Sequence, residues 1–227
     1  MNNIPICPEA LQTGELFEPG HTPAWEFLTQ FTWPWEALPH IGDCITELGA
    51  GLDDGYEALP NNVWIHKDAR VAASVFIGGS VIIGAGTEVR HNAFIRGNAL
   101  VGKNAVIGNS TELKNVILFD GVQVPHYNYV GDSILGYKSH MGAGSITSNV
   151  KSDSSLVTVV YGGARIETGL KKFGAVLGDN VEIGCNSVLN PGCIIGPGTI
   201  VYPLSSVRGF VPGNSIYKNP NEIVEKR

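Results

Sequence analysis

Aliphatic residues recur at every sixth position through the middle of the chain. From Ile65 to Leu113, each sixth residue is Ile, Val or Leu. The residues four positions after these are Ala, Val or Thr, all of them small or β-branched. The pattern returns from Leu177 to Val207, and glycine often follows the aliphatic residue.

A period of six fits neither an amphipathic helix nor a single amphipathic strand, whose periods are about 3.6 and 2 residues. It does fit a short strand and a turn, repeated many times. The aliphatic residue then points inward, the small residue fills a tight interior position, and glycine permits the turn backbone. A core explains all of these residues, and none of them needs a further function.

The segments without the repeat divide the chain. Residues 1–60 are expected to form an N-terminal cap over an open end of the repeat domain, which spans residues 61–210. Residues 148–172 interrupt the repeat, and we expect a protruding loop with a strand-like centre. Residues 211–227 are expected to be a surface tail.

The N-terminal 60 residues carry three of the four tryptophans. We expect a short helix that starts near Thr22-Pro23 and ends before Pro34 and Pro39. A further helical turn or two is predicted over residues 41–48.

Composition excludes several classes. The chain of 227 residues has a net charge of −6 and only 15 Lys and Arg, which disfavours nucleic-acid binding. No apolar run is long enough for a membrane span, and the first residues show no secretory signal, so we expect a cytoplasmic protein. The 29 glycines and 13 prolines favour a turn-rich fold over long helices.

The cysteines offer no metal motif. Cys7, Cys44, Cys185 and Cys193 include no Cys-x-x-Cys pair, so no zinc site is expected. In a reducing compartment they are expected to be small buried hydrophobic residues.

Polar residues that break the repeat lie mostly between Arg96 and Asn149. Arg96 and Lys114 are three repeats apart, which predicts that one lies above the other on neighbouring coils. An anion such as phosphate would relieve their repulsion, although solvation or pairing with Glu88 and Glu112 explains them equally well.

Histidines follow in the next two segments. His126 lies in VPHYNYVGD, and His140 lies with Asn149 in SHMGAGSITSN. A histidine here can act as a general base, because its pKa lies near the working pH, but a structural role explains a lone histidine as well.

The repeat resembles that of the hexapeptide-repeat family, in which three repeats make one triangular coil. This resemblance implies an all-β fold, a left-handed parallel β-helix of about seven coils with a small N-terminal helical or irregular cap. The left hand comes from the family alone, since β-crossovers are usually right-handed.

A closer resemblance covers most of residues 63–220. The stretch from Arg96 to Asn149 is similar, without gaps, to the acetyltransferase domain of the bifunctional enzyme that makes UDP-N-acetylglucosamine. The matching motifs are Glu-x-Lys at Glu112, His-x-x-Tyr at His126 followed by a small apolar residue, Gly and Asp, and GAGSITSN ending at Asn149. A Lys-Phe pair matches at Lys172.

The resemblance implies a role for each matching residue. His126 would take a proton from the substrate amine as the amine attacks the acetyl-CoA thioester, with Glu112 and Asn149 assisting. The residues implied to bind the sugar phosphate are Arg96, Lys114, Tyr129, His140 and Lys172. The residues implied to bind coenzyme A are Cys185, Pro203 and Lys218. No metal is implied for acetyl transfer.

Three departures lie on the sugar side. His140 replaces an Asn of the family, Val150 replaces a Tyr, and the 148–172 loop is longer than the family's loop. The resemblance therefore predicts acyl transfer more specifically than it predicts the acetyl acceptor. The resemblance also implies a homotrimer with sites between chains, which flat β-helix faces favour.

Two other functions stay open. One is a non-catalytic sugar-phosphate-binding or oligomerisation module for a separate sugar nucleotidyltransferase. The other is a metal-dependent hydratase, which the histidine spacing disfavours, because no close histidine pair of the required type is present.

Overall fold

Short strands joined by tight corners make up most of the chain. The structure, a computed structural model, describes residues 8–226. Cys7 and the first residues, on which the expectation of no secretory signal depends, lie outside the described residues. None of the described helices is long and apolar enough to cross a membrane.

The helices lie in the first 50 residues. They are α1 (Thr13–Leu16), α2 (Trp25–Leu28) and α3 (Ile41–Ala50), with 3-10 helices at Glu9–Leu11 and Pro34–His40. The predicted helix over 41–48 is confirmed and extends to Ala50. Pro34 and Pro39 do not leave an irregular break, because Pro34 occupies the first turn of a 3-10 helix that also contains Pro39.

The strands are numbered in chain order. They are β1 (Tyr56–Leu59), β2 (Val63–His66), β3 (Arg70–Val71), β4 (Phe76–Ile83), β5 (Glu88–Val89), β6 (Phe94–Val101), β7 (Val106–Asn109), β8 (Glu112–Leu118), β9 (Gln123–His126), β10 (Tyr129–Leu135), β11 (His140–Met141), β12 (Ile146–Thr147), β13 (Thr158–Tyr161), β14 (Ala164–Glu167), β15 (Ala175–Leu177), β16 (Glu182–Ile183), β17 (Val188–Leu189), β18 (Cys193–Ile195), β19 (Ile200–Val201), β20 (Ser206–Val207), β21 (Phe210–Val211), β22 (Ser215–Asn219) and β23 (Glu222–Glu225).

Three parallel faces enclose the core. Face A contains β2, the second halves of β4, β6, β8 and β10, and then β15, β18 and β21. Face B contains β3, β5, β7, β9, β11, β16, β19 and β22. Face C contains the first halves of the four long strands and then β12, β17 and β20. The predicted all-β fold, a parallel β-helix of about seven coils, is confirmed.

The six-residue pattern sets the interior as predicted. Ile83, Val101 and Leu118 follow one another on face A, and each is buried. The small companions include hydroxyl residues that bond to the next coil: Thr87 Oγ1 donates to Gly102 O at 2.7 Å and accepts from Ala105 N at 3.0 Å. These bonds satisfy polar backbone groups that burial would otherwise leave without a partner.

The N-terminal segment lies along face A and does not cover an open end. His21 O accepts from Asp120 N at 2.9 Å, and Leu16 O accepts from Asp179 N at 3.1 Å. The physical reason is that face A is apolar on its outer side as well. Outward residues such as Ile82 and Leu100 are fully buried beneath the segment.

The exposed edges of the solenoid are closed by antiparallel strands instead. β1 pairs antiparallel with β2 at the first coil, and β23 pairs antiparallel with β22 at the last. Residues 211–227 are therefore not a detached tail, because the described part of them completes the final coil and its closing strand. Such strands limit edge-to-edge association.

The 148–172 insertion contains a β-hairpin, in agreement with the predicted strand-like centre. β13 pairs with β14, and Tyr161 packs on Phe210 with ring centroids 5.1 Å apart. Val157 and Val159 are buried. The hairpin is thus anchored on the later coils.

Candidate active site

The corner between faces C and A is the irregular corner of the β-helix. Gly79 pairs with Gly97, but Gly97 pairs with Lys114 and Lys114 with Gly131, so the two coils that follow Gly97 are each one residue shorter. The corner residues Asn98, Asn115 and Asp132 adopt positive φ values of 49°, 55° and 47°. Asn and Asp tolerate this left-handed backbone better than other non-glycine residues.

Asp132 is the centre of a polar cluster at this corner. Its side chain is 6% exposed and accepts from Lys114 Nζ through both oxygens, at 2.8 and 2.9 Å. Asn115 Nδ2 donates to Oδ1 at 3.1 Å, and Asn149 Nδ2 donates to Oδ2 at 2.5 Å. A buried carboxylate with this many donors is fixed in position.

Arg96 and Lys114 are not stacked as the spacing predicted. The shortened corner places Lys114 opposite Gly97, and the backbone register shifts beside Arg96. Arg96 Nη1 instead donates to Glu112 Oε1 at 3.0 Å. The second interpretation, pairing with Glu88 or Glu112, therefore holds for Arg96 only, because Lys114 pairs with Asp132 and Glu88 pairs with Arg90.

Tyr129 lies beside Glu112 on face C, because the two residues are register partners on neighbouring strands. Its hydroxyl oxygen accepts from Asn149 Nδ2 at 3.2 Å. Burial raises the pKa of Tyr129 above its ordinary value, and the nearby Asp132 carboxylate raises it further, although the hydrogen bond from Asn149 opposes this. The phenol therefore keeps its proton at neutral pH.

Lys172 reaches the same corner through the chain that returns from the insertion. Phe173 N donates to Asn149 O at 3.0 Å, and Gly174 N donates to Asp132 O at 2.8 Å. Phe173 is buried and stacks on Trp35 at 5.9 Å. Lys172 itself is exposed and has no ion pair with any residue in the range 8–226.

His126 lies at the opposite edge of face C, at the corner with face B. It ends β9 and precedes Tyr127, whose φ is 52°. Its backbone N donates to Asn128 Oδ1 at 3.0 Å, and its side chain is exposed. The buried Asn128 thus fixes the turn that presents the imidazole.

His140 does not join the cluster within one chain. It starts β11 on face B, between Gln123 and Glu182 of the neighbouring strands. Its Nδ1 is 2.5 Å from Glu182 Oε1. The sequence motif placed His140 near Asn149, but a corner separates them in space.

The predicted coenzyme A residues lie farther along the solenoid. Gly144 N donates to His126 O, Asn186 N to Ala143 O, and Leu204 N to Cys185 O. Cys185 and Pro203 therefore occupy the corner of His126, two and three coils beyond it, at about 4.8 Å per coil. Lys218 lies on the last coil and pairs with Glu222 at 2.5 Å.

The cysteines differ from the expectation of uniform burial. Cys44 and Cys193 are buried, but Cys185 is exposed because it occupies a corner rather than an inward strand position. Burial, followed by the charge of Glu47, raises the pKa of Cys44 to about 11. Cys7 lies outside the described residues.

The sequence did not lead us to predict three contributors to the cluster, Asp132, Asn115 and Leu38. Asp132 lies in the quoted motif and follows Gly131, and that position could have suggested a role. Asn115 adjoins Lys114, and its Nδ2 also donates to Leu38 O at 3.0 Å. No sequence signal links Leu38 to this corner, since 77 residues separate it from Asn115.

No group of three His, Cys, Asp or Glu side chains within residues 8–226 could hold a metal ion. That acetyl transfer needs no metal stays a prediction.

A family model described as the GMPPB C-terminal domain matches residues 79–194. "Bifunctional protein GlmU" of Methanococcus vannielii is 36% identical over 119 residues, which are 52% of this chain and 28% of that protein. "Bifunctional sugar-1-phosphate nucleotidylyltransferase/acetyltransferase" of Sulfurisphaera tokodaii is 35% identical over 109 residues, 48% of this chain and 27% of that protein. The chain thus spans little more than a quarter of these curated relatives.

Two solved structures are similar at lower identity. A putative acetyltransferase of Bacillus cereus has a TM-score of 0.42 and 20% identity, covering 73% of this chain and 78% of that one. The acetyltransferase domain of PglB from Neisseria gonorrhoeae, in complex with acetyl coenzyme A, has a TM-score of 0.34 and 20% identity. That alignment covers 80% of this chain and 63% of that one.

Proposed function

The chain belongs to the family described as the GMPPB C-terminal domain, and from this premise we propose that it is a coenzyme A-dependent N-acetyltransferase. Its substrate is an amino-sugar phosphate such as glucosamine-1-phosphate. The observation that carries the proposal is the polar cluster at the corner of faces C and A, together with His126 at the opposite edge of face C. Curated relatives named as acetyltransferases or as GlmU add support.

The proposed chemistry is attack of a neutral amine on a thioester. His126 accepts the proton that the amine loses, and the coenzyme A thiolate leaves and is then protonated. The exposed imidazole at a rigid corner suits this task, because a general base must lie within hydrogen-bonding distance of the substrate proton that it accepts. Glu112 orients the amine, and Asn149 helps to hold it.

The phosphate of the substrate is proposed to bind at Lys172, with Arg96 and Lys114 nearby. Lys172 lacks a carboxylate partner among the described residues, so its charge is available to an anion. Arg96 is about half exposed and its pairing with Glu112 is weak in water, so an anion can compete for it. Lys114 is held more firmly by Asp132. Tyr129 completes the proposed substrate contacts within one chain, and His140, on face B, is proposed to reach the substrate of a neighbouring chain in the homotrimer.

Coenzyme A is proposed to extend along the corner of His126. Cys185 and Pro203 are exposed on this corner, and Lys218 is a cation near its far end. An extended ligand with an acyl group at His126 and phosphates beyond Pro203 matches this order. Acetyl-CoA is a co-substrate in this proposal, and no metal takes part.

A homotrimer is proposed because face C carries exposed aromatic side chains. Phe76 and Phe94 are 58% and 40% exposed, and their rings are 5.3 Å apart. Phe94 is the register partner of Glu112, so a chain that covers the pair also approaches the cluster. A cytoplasmic location is proposed as well.

A second candidate is a non-catalytic sugar-phosphate-binding or oligomerisation module associated with a sugar nucleotidyltransferase. Two observations favour it. One curated relative is named as both nucleotidylyltransferase and acetyltransferase, and the chain covers 27% of it. In addition, two of the cations expected to bind phosphate are already paired with carboxylates.

The test is release of free coenzyme A from acetyl-CoA in the presence of glucosamine-1-phosphate or other amino sugars. We expect substrate-dependent release that falls about 100-fold or more in His126→Ala. His91→Ala is the matched control, because His91 is exposed and its carbonyl accepts from Asn109 on the same corner. Absence of release with every amino sugar would favour the non-catalytic module.

A further inference from the structure

We infer that Asp132 is a positioning residue that makes Tyr129 a hydrogen-bond donor and Asn149 a hydrogen-bond acceptor toward the ligand. The identity of that ligand as an amino sugar rests on the proposed function. The inference that Tyr129 donates and Asn149 accepts hydrogen bonds rests only on the contacts of Asp132 with its neighbours.

The first step is the chemistry of the Asp132 carboxylate. Its two oxygens face the Lys114 ammonium at 2.8 and 2.9 Å, and a carboxylate in such a pair only accepts hydrogen bonds. Every polar group that contacts it must therefore present a proton. Asn115 does so through Nδ2 at 3.1 Å.

The second step fixes the Asn149 amide. Its contact with Asp132 Oδ2 at 2.5 Å must be made by the NH2 group, because the alternative orientation would bring two acceptors together. The same nitrogen donates to the Tyr129 hydroxyl at 3.2 Å. Both amide protons are thus used, and no residue within 8–226 donates to Asn149 Oδ1.

The third step fixes the Tyr129 hydroxyl. Its oxygen already accepts from Asn149, and its proton has no acceptor in the described part of the chain. Tyr129 and Asn149 are both partly exposed, so the free proton and the free amide oxygen are accessible to a ligand. The raised pKa of Tyr129 keeps that proton in place.

A neighbouring donor and acceptor select the ligand group that matches them. An amine next to a hydroxyl fits, since an N–H donates to Asn149 Oδ1 while an oxygen accepts from Tyr129. A carboxylate offers only acceptors and leaves the amide oxygen unmatched, which is unfavourable in a partly desolvated site. The pair thus favours an amino alcohol over an acid of the same size.

The N-terminal segment holds this arrangement in place. Asn115 Nδ2 donates both to Asp132 and to Leu38 O, the latter at 3.0 Å. Asn115 Oδ1 accepts from Asn98 Nδ2 at 3.4 Å on the preceding coil. A chain of hydrogen bonds therefore runs from the Pro34–His40 helix to the ligand-facing pair.

The test compares Asp132→Asn with the unaltered protein by two readouts. Asparagine keeps the shape but removes the charge and the acceptor-only character. We expect the KM for the amino sugar to rise about tenfold or more, while the KM for acetyl-CoA stays unchanged. We also expect the pKa of Tyr129 to fall, because the negative charge that raises it is lost.

Tyr129 titration is measured by NMR of the tyrosine ring carbons, with the signal assigned through Tyr129→Phe. This readout needs no catalysis, so it tests the inference even if no amino sugar is acetylated. Asp179→Asn is the matched control. Asp179 is 4% exposed and accepts from the backbone N of Glu18 and of Tyr137, away from the cluster. It should change neither readout.

Asn149→Ala is the second variant if Asp132→Asn does not fold. It removes the amide that donates to the Tyr129 hydroxyl and that lowers the pKa of Tyr129, so this pKa should rise. An unchanged Tyr129 titration in the variant that folds overturns the inference. The same holds if Asp132→Asn raises the amino-sugar KM equally in a Tyr129→Phe background, because the effect of Asp132 then does not act through the Tyr129 hydroxyl.

Discussion

The two ion pairs of the cluster contribute differently to stability. In the Arg96–Glu112 pair the side chains are 49% and 31% exposed, so water screens the interaction and its contribution to stability is small. In the Lys114–Asp132 pair the values are 24% and 6%. Removing one partner of a buried pair costs about 3–5 kcal/mol, and this pair belongs toward the lower end because Lys114 is partly exposed. The first pair can therefore open for a ligand, whereas the second supports the corner.

The reactivity of Cys185 tests whether coenzyme A binds along the corner of His126. In a Cys7→Ser background, iodoacetamide at pH 8 should modify Cys185 first, because it is exposed whereas Cys44 and Cys193 are buried. Burial raises the pKa of both buried thiols, to about 11 for Cys44, which keeps them as unreactive thiols.

Acetyl-CoA at saturating concentration should then slow modification of Cys185 several-fold, as measured by mass spectrometry of the intact protein. Free glucosamine-1-phosphate serves as the control ligand and should give no protection. Equal modification rates with and without acetyl-CoA would remove Cys185 from the proposed binding path.

At the scale of elements, the N-terminal segment contributes to the candidate site and is not a separate cap. The Pro34–His40 helix supplies the Leu38 carbonyl to Asn115, and Trp35 packs against Phe173 next to Lys172. Helix α3 packs along strands β4, β6 and β8 on face A. The segment therefore fixes the irregular corner from one side, while the 148–172 insertion returns to it from the other.

Trp35 tests this coupling between elements. It is 1% exposed, so Trp35→Ala should lower the free energy of unfolding by about 3–5 kcal/mol through the cavity left behind. Urea denaturation measures this loss. Trp33→Ala is the matched control, because Trp33 stacks on Trp35 at 5.1 Å but is only partly buried, and it should cost clearly less.

Trp35→Ala should also reduce any acetyl transfer at temperatures where the protein remains folded, since Phe173 adjoins Asn149 through the backbone. A stability loss equal to that of Trp33→Ala would contradict the role of Trp35 as the anchor between the segment and the insertion.

At the scale of the whole molecule, the faces of the β-helix have different partners. Face A is covered by the N-terminal segment of the same chain. Face C presents the Phe76–Phe94 pair to solvent, next to the row that continues with Glu112 and Tyr129. Exposed paired aromatics on a flat sheet face are typical of an interface.

The homotrimer is tested by light scattering after size-exclusion chromatography. One chain has a mass of 24.2 kDa, and we expect three times that value. Phe76→Asp combined with Phe94→Asp should reduce the mass toward that of one chain, because two desolvated charges would oppose association. Leu59→Asp is the matched control, since Leu59 is 40% exposed but lies on the edge strand β1. If the unsubstituted protein has the mass of a single chain, the proposal of a homotrimer is wrong.

The outer side of face A corresponds to a sequence signal that the six-residue repeat alone does not reveal. Val81-Ile82-Ile83 and Ala99-Leu100-Val101 are consecutive apolar triplets, and such runs indicate strands buried on both sides. This signal could have predicted that a segment covers face A. It could not have predicted which segment, because the contacts join residues far apart in the chain.

The sequence by itself determined the β-helix, because an inward residue every six positions is a local property that each coil repeats independently. It also determined which residues interrupt the core, including His126, Lys114 and Asn149. Only the tertiary structure decided how they meet. A corner shortened by one residue moved Lys114 away from Arg96 and onto Asp132, and a corner of the β-helix separated His140 from Asn149. Such contacts depend on the register between coils and on a distant segment, neither of which a local pattern encodes.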